Sequence, residues 1–557
     1  MHRQFGPPGP ASGRRGPVPF ASMAAGSPDR ARTRWPTIGE LWAFLAIALP
    51  GLAALMVPMP AVDLAYQLRA GADILAGNGI PTMDTWTFTV SGTPWLDQQW
   101  GAQVLLAAVY QATSWTGLAI LRATLVGLTF GLTFAALRIS WSVASTRAGG
   151  SSIASSSRTA ALIVLGAFAV AAPALALRPQ LFAIPLFAAT VLILAERGRH
   201  PRRLWFIPFI AAAWANLHGS FPLVLVLIAL AWVDEVALLR MPVPAGHARL
   251  PLPRRLLGST GIALIGAFSA LATLLTPFGI DAWRYIENLA RNPEITSAVS
   301  EWRAPSPFDP AGAVFYLSLL LVVGVIAYRI RSDRGRTPPQ FVAPILTVLV
   351  FGGLGVVTGR GLAWWSIAGV VAVVALQPGL KLADVRLPRV PALRARTARE
   401  ASLSESRRSP LNALVVVLLA ALAVMLLPVW RPVGRAGVPV GTLTHAPQDL
   451  AVSIPVRLSR FSVSAWVPQA WGSWFEFAQP DVAVAVDSRI ELYPEFVWAD
   501  AELVATASGD WLGVLDRYHA DVVVVAADQV ALEAGLAKAP AWQRIYFDND
   551  GSVWQRR

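Results

Sequence analysis

The chain has 557 residues, of which 55% are hydrophobic and only 14% charged, with a mean hydropathy of +0.52. Soluble domains carry about 25% charged residues, so a single water-soluble domain is excluded. The net charge of +13 comes from arginine, with only two lysines (Lys381 and Lys538). That bias fits a GC-rich genome better than nucleic-acid binding, and with no cysteine, disulfides, thiolate catalysis and cysteine-ligated zinc are excluded as well.

Residues 1–35, rich in Pro, Gly, Ala and Arg, are expected to form a disordered basic tail. Crossing a hydrocarbon core about 30 Å thick takes roughly 17–25 apolar residues per helix. Such segments begin near Ile38, Gly117, Thr159, Leu181, Leu204, Phe221, Leu256, Ala311, Phe341, Gly361 and Leu411. The expectation is a mainly α, polytopic membrane bundle of about eleven transmembrane helices over residues 36–429, with a first outer loop at 58–116. Residues 101–110 are apolar but too short to span. If they do not span, the N-terminal tail and five Arg-rich loops fall on one side, totalling +23. Loops 58–100 and 277–310 and the tail from residue 430 then total −10 on the other. The positive-inside rule favours this arrangement: N-terminus cytoplasmic, and residues 101–113 an interfacial helix on the outer face.

From residue 430 the long apolar runs stop, which predicts a small extracytoplasmic α/β domain over 430–557. Residues 482–486 and 521–526 read as buried strands and are expected to be adjacent. Residues 501–506 and 529–539 read as helices. Residues 544–547 and 552–555 flank Asp548-Asn549-Asp550-Gly551, a hairpin turn.

With this topology, the polar residues hardest to explain gather at one face. They are the loop carboxylates Asp63 and Asp84, Arg178-Pro179-Gln180 between two helices, Asn216 and His218, Glu301, and Arg360. Ionisable groups at membrane depth are costly, and their convergence points to a site. Each also has a plainer reading. Arg178 could snorkel to the interface. His218 could be a neutral hydrogen-bonded ring, Asn216 a helix cap, and Asp84 a turn or helix cap. Arg122 reads as a structural partner of a loop carboxylate, Asp73 and Asp97 as solvated loop charges, and Asp234-Glu235 as partners of inner-loop arginines. The 22 tryptophans are expected as interface anchors.

The first outer loop reads Asp63-Leu-Ala-Tyr-Gln-Leu-Arg-Ala-Gly71, then Asp84-Thr-Trp-Thr-Phe-Thr89, then Gln98-Gln-Trp100. With Arg178-Pro-Gln180, Trp214-Ala-Asn-Leu-His218, Thr276-Pro-Phe-Gly279, Glu301-Trp302, Trp471-Gly472 and Asp487-Ser-Arg489, it resembles a group of bacterial integral-membrane proteins. That group is related to the GT-C superfamily, which includes protein O-mannosyltransferases and lipid A aminoarabinose transferases. The resemblance implies a GT-C-like bundle in the bacterial plasma membrane that moves a sugar from a polyprenyl-phosphate donor to an envelope glycan, lipid or protein acceptor. It aligns Asp63 and Asp84 with the superfamily's loop carboxylates. The group's aromatics and histidine after the first Asp are replaced by Ala65, Tyr66 and Gln67, and its His-Glu before the tryptophan by Gln98-Gln99. No cofactor is required on this reading; a divalent metal is compatible with the superfamily, but these replacements argue against one in the loop.

Inverting transfer needs a base for the acceptor proton and cations for the departing phosphate. Asp63, ahead of Asp84, is the expected catalytic carboxylate. Arg178 and Arg360 would hold phosphate, with His218 as a hydrogen-bond donor and Gln180, Asn216 and Glu301 as further substrate-binding residues. A non-catalytic GT-C-like scaffold is the alternative. A transporter fits less well, because the spans lack polar residues near mid-bilayer.

Overall fold

Thr37 opens the bundle: its hydroxyl accepts the Glu40 N–H at 3.1 Å, and the Glu40 carboxylate accepts the Thr37 N–H at 2.7 Å. This reciprocal cap satisfies donors that a helix start leaves open, and it fixes the beginning of α1 (Ile38–Met56). The computed structural model describes residues 35–147, 156–239, 252–291, 300–332, 341–376, 405–454 and 463–557. The predicted basic tail lies outside the described residues.

After α1, a two-residue strand β1 (Met59–Pro60) leads into α2 (Ala61–Leu75). The next helix, α3 (Trp100–Arg147), is broken at Ser114, whose φ of 55° and ψ of −153° are not helical. The predicted interfacial segment is therefore the arm of α3 before this break. It packs closely on α2: a Cβ on Gly71 would lie 2.1 Å from the Gln103 carbonyl oxygen. The bundle continues with α4 (Ser157–Ala171), α5 (Pro179–Glu196), α6 (Ile207–Leu217), α7 (Leu223–Leu239) and α8 (Leu252–Ala272). An amphipathic α9 (Asp281–Arg291) and α10 (Pro310–Ser332) follow. Then come α11 (Val342–Val357), interrupted by one π-helical turn, α12 (Gly361–Leu376) and α13 (Pro410–Met425).

Among the described residues, five helices are long and apolar enough to cross a membrane: Ile38–Met56, Trp100–Ala144, Ser157–Ala174, Pro179–Glu196 and Pro310–Arg331. Four shorter apolar helices accompany them. The chain is mainly helical as expected, but five helices rather than eleven reach the length of a span. Leu317, Leu320 and Leu321 on α10, with Leu418 and Met425 on α13, are more than half exposed. Water would penalise such faces, whereas hydrocarbon does not.

At the bundle end away from β1, Arg197 pairs with Asp234 and lies 3.6 Å from Glu235, as the sequence suggested. Arg122 differs from expectation. Its Nε donates to the Leu175 carbonyl at 3.1 Å and its Nη1 to the Val57 carbonyl at 2.8 Å, so it ties down helix-end carbonyls rather than a carboxylate.

The C-terminal part contains α14 (Gln448–Ser453), α15 (Gln469–Ala478), α16 (Glu495–Thr506), α17 (Trp511–Arg517) and α18 (Val530–Lys538) around a five-stranded sheet. Its strands are β3 (Val463–Trp466), β4 (Val482–Val484), β5 (Val522–Ala526), β6 (Trp542–Phe547) and β7 (Gly551–Arg556). The order is β4-β3-β5-β7-β6, so the two strands expected to be neighbours are separated by β3, which runs parallel to both. The hairpin is present: β6 and β7 pair antiparallel across the predicted turn, where Asp548 accepts the Asp550 and Gly551 N–H groups. Beside the bundle, β2 (Leu443–Thr444) pairs in parallel with β1.

Asp97 is not a solvated loop charge: it is only 3% exposed, with Oδ1 accepting from Gln103 at 2.7 Å and Oδ2 unpartnered. Burial, only partly opposed by the Gln103 hydrogen bond, pushes its carboxyl up to about 7. An unfolded Asp titrates near 4. Below that pH both states are protonated and nothing is lost; as pH rises from about 4 toward 7 the unfolded chain ionises first, and stability falls. Asp97→Asn should therefore be neutral at pH 4 and stabilising at pH 8, by on the order of a few kcal/mol. Thermal unfolding of the two proteins at both pH values tests this, and an equal difference at the two would contradict it.

Candidate functional site

Pro60 ends β1 and starts α2, which puts Asp63 in the first helical turn, directly after α1. Across the bundle, Arg178 is the N-cap residue of α5, and Pro179 at the first helical position fixes its exit from the turn. Arg178 Nε lies 3.0 Å from Asp63 Oδ2, close as an ion pair though not aligned as a hydrogen bond. Arg178 Nη1 donates to Glu301 Oε1. The same Glu301 carboxylate accepts from Arg360 Nε at 3.4 Å, and the Arg360 guanidinium sits 4.9 Å over the Trp302 ring. The Glu301 backbone is held independently of its side chain. Its carbonyl accepts from the Thr358 hydroxyl at 2.9 Å and from the Arg360 N–H at 3.1 Å. Asp63, Arg178, Glu301 and Arg360 thus form one alternating chain of charge.

These four residues line a cavity of about 300 Å³, together with Gln180 and His218. Gln180 is 9% exposed, and its amide nitrogen has no hydrogen-bond partner. His218 follows the last residue of α6, with Nδ1 accepting the Ser220 N–H at 3.1 Å. The proton of the neutral ring therefore belongs on Nε2. Burial, helped by the Arg360 charge, pushes the imidazole down to about 3, so the ring is neutral at physiological pH.

Six of the eight residues singled out in the sequence share this cavity, and two do not. Asn216 latches three elements instead. It accepts from Trp100 Nε1 at 3.1 Å and donates to the Ala212 and Leu275 carbonyls at 2.8 Å each. Asp84 is fully buried in the first outer loop, accepting from the Trp86 and Thr87 N–H groups and the Thr87 hydroxyl. It also accepts from Arg489 Nη2 at 2.7 Å. Arg489 is itself buried, bonded to Asp487, 3.6 Å from Glu476, and stacked 4.5 and 4.7 Å from the Trp86 and Trp95 rings.

The cavity wall also holds residues not identified from the sequence. Tyr66, Gln67 and Gln99 come from the first loop, Tyr285 from α9, and Gln469, Ser488 and Glu491 from the C-terminal part. The signals were short: Gln99 stood out as a departure from a motif, and Glu491 lies two residues past the Asp487-Ser-Arg489 motif. The Ser488 hydroxyl donates to the Val62 carbonyl at 2.8 Å, beside Asp63. Among the described residues, no three His, Asp or Glu side chains cluster as a metal site. The Arg178 guanidinium already lies between the Asp63 and Glu301 carboxylates, so this pair does not suit a divalent cation.

No known protein family and no curated protein matches the chain. Among solved structures it is similar to the oligosaccharyltransferase of Archaeoglobus fulgidus. The apo form aligns over 93% of this chain and 74% of that one, at 12% identity and a TM-score of 0.48. The archaeal oligosaccharyltransferase AglB from the same organism, solved in complex with an inhibitory peptide and a dolichol-phosphate, aligns over the same shares at 12% identity and a TM-score of 0.45. No residue role carries over at that distance, and the functional reading rests on the chemistry of the site.

The Arg489 cluster makes a testable distinction between the two loop carboxylates. Removing one partner of a buried ion pair typically costs about 3–5 kcal/mol. Asp84→Asn should lower the thermal midpoint clearly, and Arg489→Gln more so, whereas Asp63→Asn should change it little. An Asp84→Asn protein as stable as the parent would show that the cluster does not hold the loop.

Proposed function

We propose that this chain is a membrane glycosyltransferase that moves a sugar from a polyprenyl-phosphate donor to an acceptor of the cell envelope. The observation that carries this reading is the single cavity where a carboxylate, two arginines and a neutral histidine meet. The sequence motifs of the first loop point the same way.

In this reading the acceptor O–H or N–H attacks the anomeric carbon as the bond from that carbon to the phosphate oxygen breaks. The proton passes to Asp63, and the bonding electron pair leaves with the polyprenyl phosphate. A single in-line displacement inverts the anomeric centre. Arg178 and Arg360 hold the growing phosphate charge, since guanidinium pairs two N–H groups with a phosphate's oxygens. His218 offers its Nε2 proton to the same phosphate without adding charge. The Glu301 carboxylate pairs with both arginines, and Asp63 with Arg178, so an incoming phosphate must compete with Glu301. Asp84 in this scheme is structural.

General-base catalysis supplies about 10²–10⁴-fold in rate. Asp63→Asn, nearly isosteric, should lose at least that much transfer of labelled sugar from a polyprenyl-phosphate donor while remaining folded. Full activity in Asp63→Asn would remove Asp63 as the base, and no transfer by the parent protein to any envelope acceptor would remove the transferase reading. The loop charges support a position of the site and the C-terminal domain on the outer face. A reporter that needs export, fused after Arg557, should be active, and activity there only of a reporter that works in the cytoplasm would reverse the orientation.

A further inference from the structure

The cavity has two chemically different walls. Asp63, Arg178, Glu301 and Arg360 make the ionic one. Opposite them in character are Glu491, Tyr285, Tyr66, Gln67 and Gln99, which line the same space yet are not needed to hold a phosphate. Tyr285 donates its hydroxyl to Glu491 Oε1 at 3.2 Å, and the Gln67 amide donates to Gln99 Oε1 at 2.9 Å. The Gln67 carbonyl oxygen is buried without a partner. Among the described residues Glu491 forms no ion pair with an arginine, and the phenols and amides around it are neutral.

We propose that this wall is a binding subsite for a neutral, hydroxyl-bearing sugar ring, with the Glu491 carboxyl and the Tyr285 hydroxyl as its main hydrogen-bonding groups. A carboxyl bonded to a phenol offers both an acceptor and a donor to neighbouring ring hydroxyls, and among the described residues no arginine ion pair occupies it. Burial pushes the Glu491 carboxyl above its ordinary range, opposed in part by the Arg489 charge and the Tyr285 hydrogen bond. The cavity thereby separates its tasks: paired arginines on one wall for the leaving phosphate, and a carboxyl and a phenol on the other to hydrogen-bond a sugar. The sugar can be the one carried by the donor or the one on the acceptor, since both present the same hydroxyls. The subsite deepens the transferase reading and rests on it for its biological role.

The test is saturation-transfer NMR on the full-length protein in lipid nanodiscs, with methyl hexopyranosides as the neutral probe and a methyl aminohexoside as the cationic one. A net hydrogen bond is worth about 1 kcal/mol, roughly fivefold in affinity. Tyr285→Phe should therefore weaken methyl hexopyranoside binding about fivefold and Glu491→Ala tenfold or more, while Glu491→Gln stays within about threefold. Tyr285→Phe deletes one hydroxyl, so it reports even if Glu491→Ala fails to fold. No binding of any neutral glycoside by the parent, or binding unchanged in both Tyr285→Phe and Glu491→Ala, overturns the proposal. So does a preference for the aminohexoside that Glu491→Gln abolishes. Binding of sugar-free polyprenyl phosphate, and its loss in Arg360→Ala, is measured in parallel. Lipid binding without glycoside binding sinks the subsite alone, and absence of both sinks the transferase reading too. If a sugar-loaded lipid excludes the glycoside, the wall reads the donor's sugar; if both bind together, it reads the acceptor's.

Discussion

The buried guanidinium of Arg489 is the interaction on which the site depends. It joins Asp84 of the first outer loop to Asp487 and Glu476 of the C-terminal part, roofed by Trp86 and Trp95. Three carboxyls surround the Arg489 guanidinium, and Arg69, bonded to the Glu476 carbonyl at 2.9 Å and stacked over Trp86, brings a second cation close. Burial and the neighbouring Asp487 push Glu476 well above its ordinary range, which eases the crowding of negative charge in a dry environment. Burial works against Asp487 as well, but the adjacent Arg489 holds its carboxyl below the usual range. The cluster therefore fixes the loop that carries Asp63 against the segment that carries Ser488 and Glu491, and the cavity lies between them.

A second constraint places Asp63 itself. The β1–β2 pair anchors Met59 and Pro60 to Leu443 and Thr444, three residues before the carboxylate. Ser488 then holds the Val62 carbonyl. Asp63 is thus positioned by contacts from two distant parts of the chain, while α2 sets its direction. The arginines facing it sit at the start of α5 and before α12, where short turns can present a guanidinium without burying its whole stem. Asp63, Arg178 and Arg360 of the charge chain therefore rest on helix ends, while Glu301 between the arginines sits on a short turn, Ser300–Trp302, whose backbone is held by Thr358 and Arg360.

Much of this could be read from the sequence, and the failures have physical causes. Hydropathy and loop charge gathered six cavity residues on one face because ionisable groups at membrane depth are rare enough to stand out. The sequence ranked Asp63 ahead of Asp84 and allowed Asp84 to cap a turn, which its bonds to the Trp86 and Thr87 N–H groups match; the partner it could not foresee is an arginine 405 residues further on. Asn216 looked like a polar residue at a helix end, which it is, but its partners Trp100 on α3 and Leu275 just past α8 turn it into a latch. Tyr285 carried no local signal and Glu491 only its nearness to the Asp487-Ser-Arg489 motif, since only the folded chain brings the two together. The strand β3 was missed because four residues give too little alternation to read, and its absence made β4 and β5 look like neighbours. The break at Ser114 was visible only as a change in composition, because a serine with positive φ leaves no mark in periodicity.

The separation between Asp84 and Arg489 also has a consequence for how the protein is made. Ribosomes add about 5–20 residues each second, so roughly 20–80 s pass between the synthesis of the first outer loop and that of its guanidinium partner. Through that interval Asp84 has no cation, and Asp63 lacks the wall that completes its cavity. A nascent bundle can therefore stand with its arginines in place while the cavity still lacks the wall that the C-terminal part supplies. The complete cavity arrives late and all at once, so on the proposed reading activity would report that synthesis of the C-terminal part has succeeded.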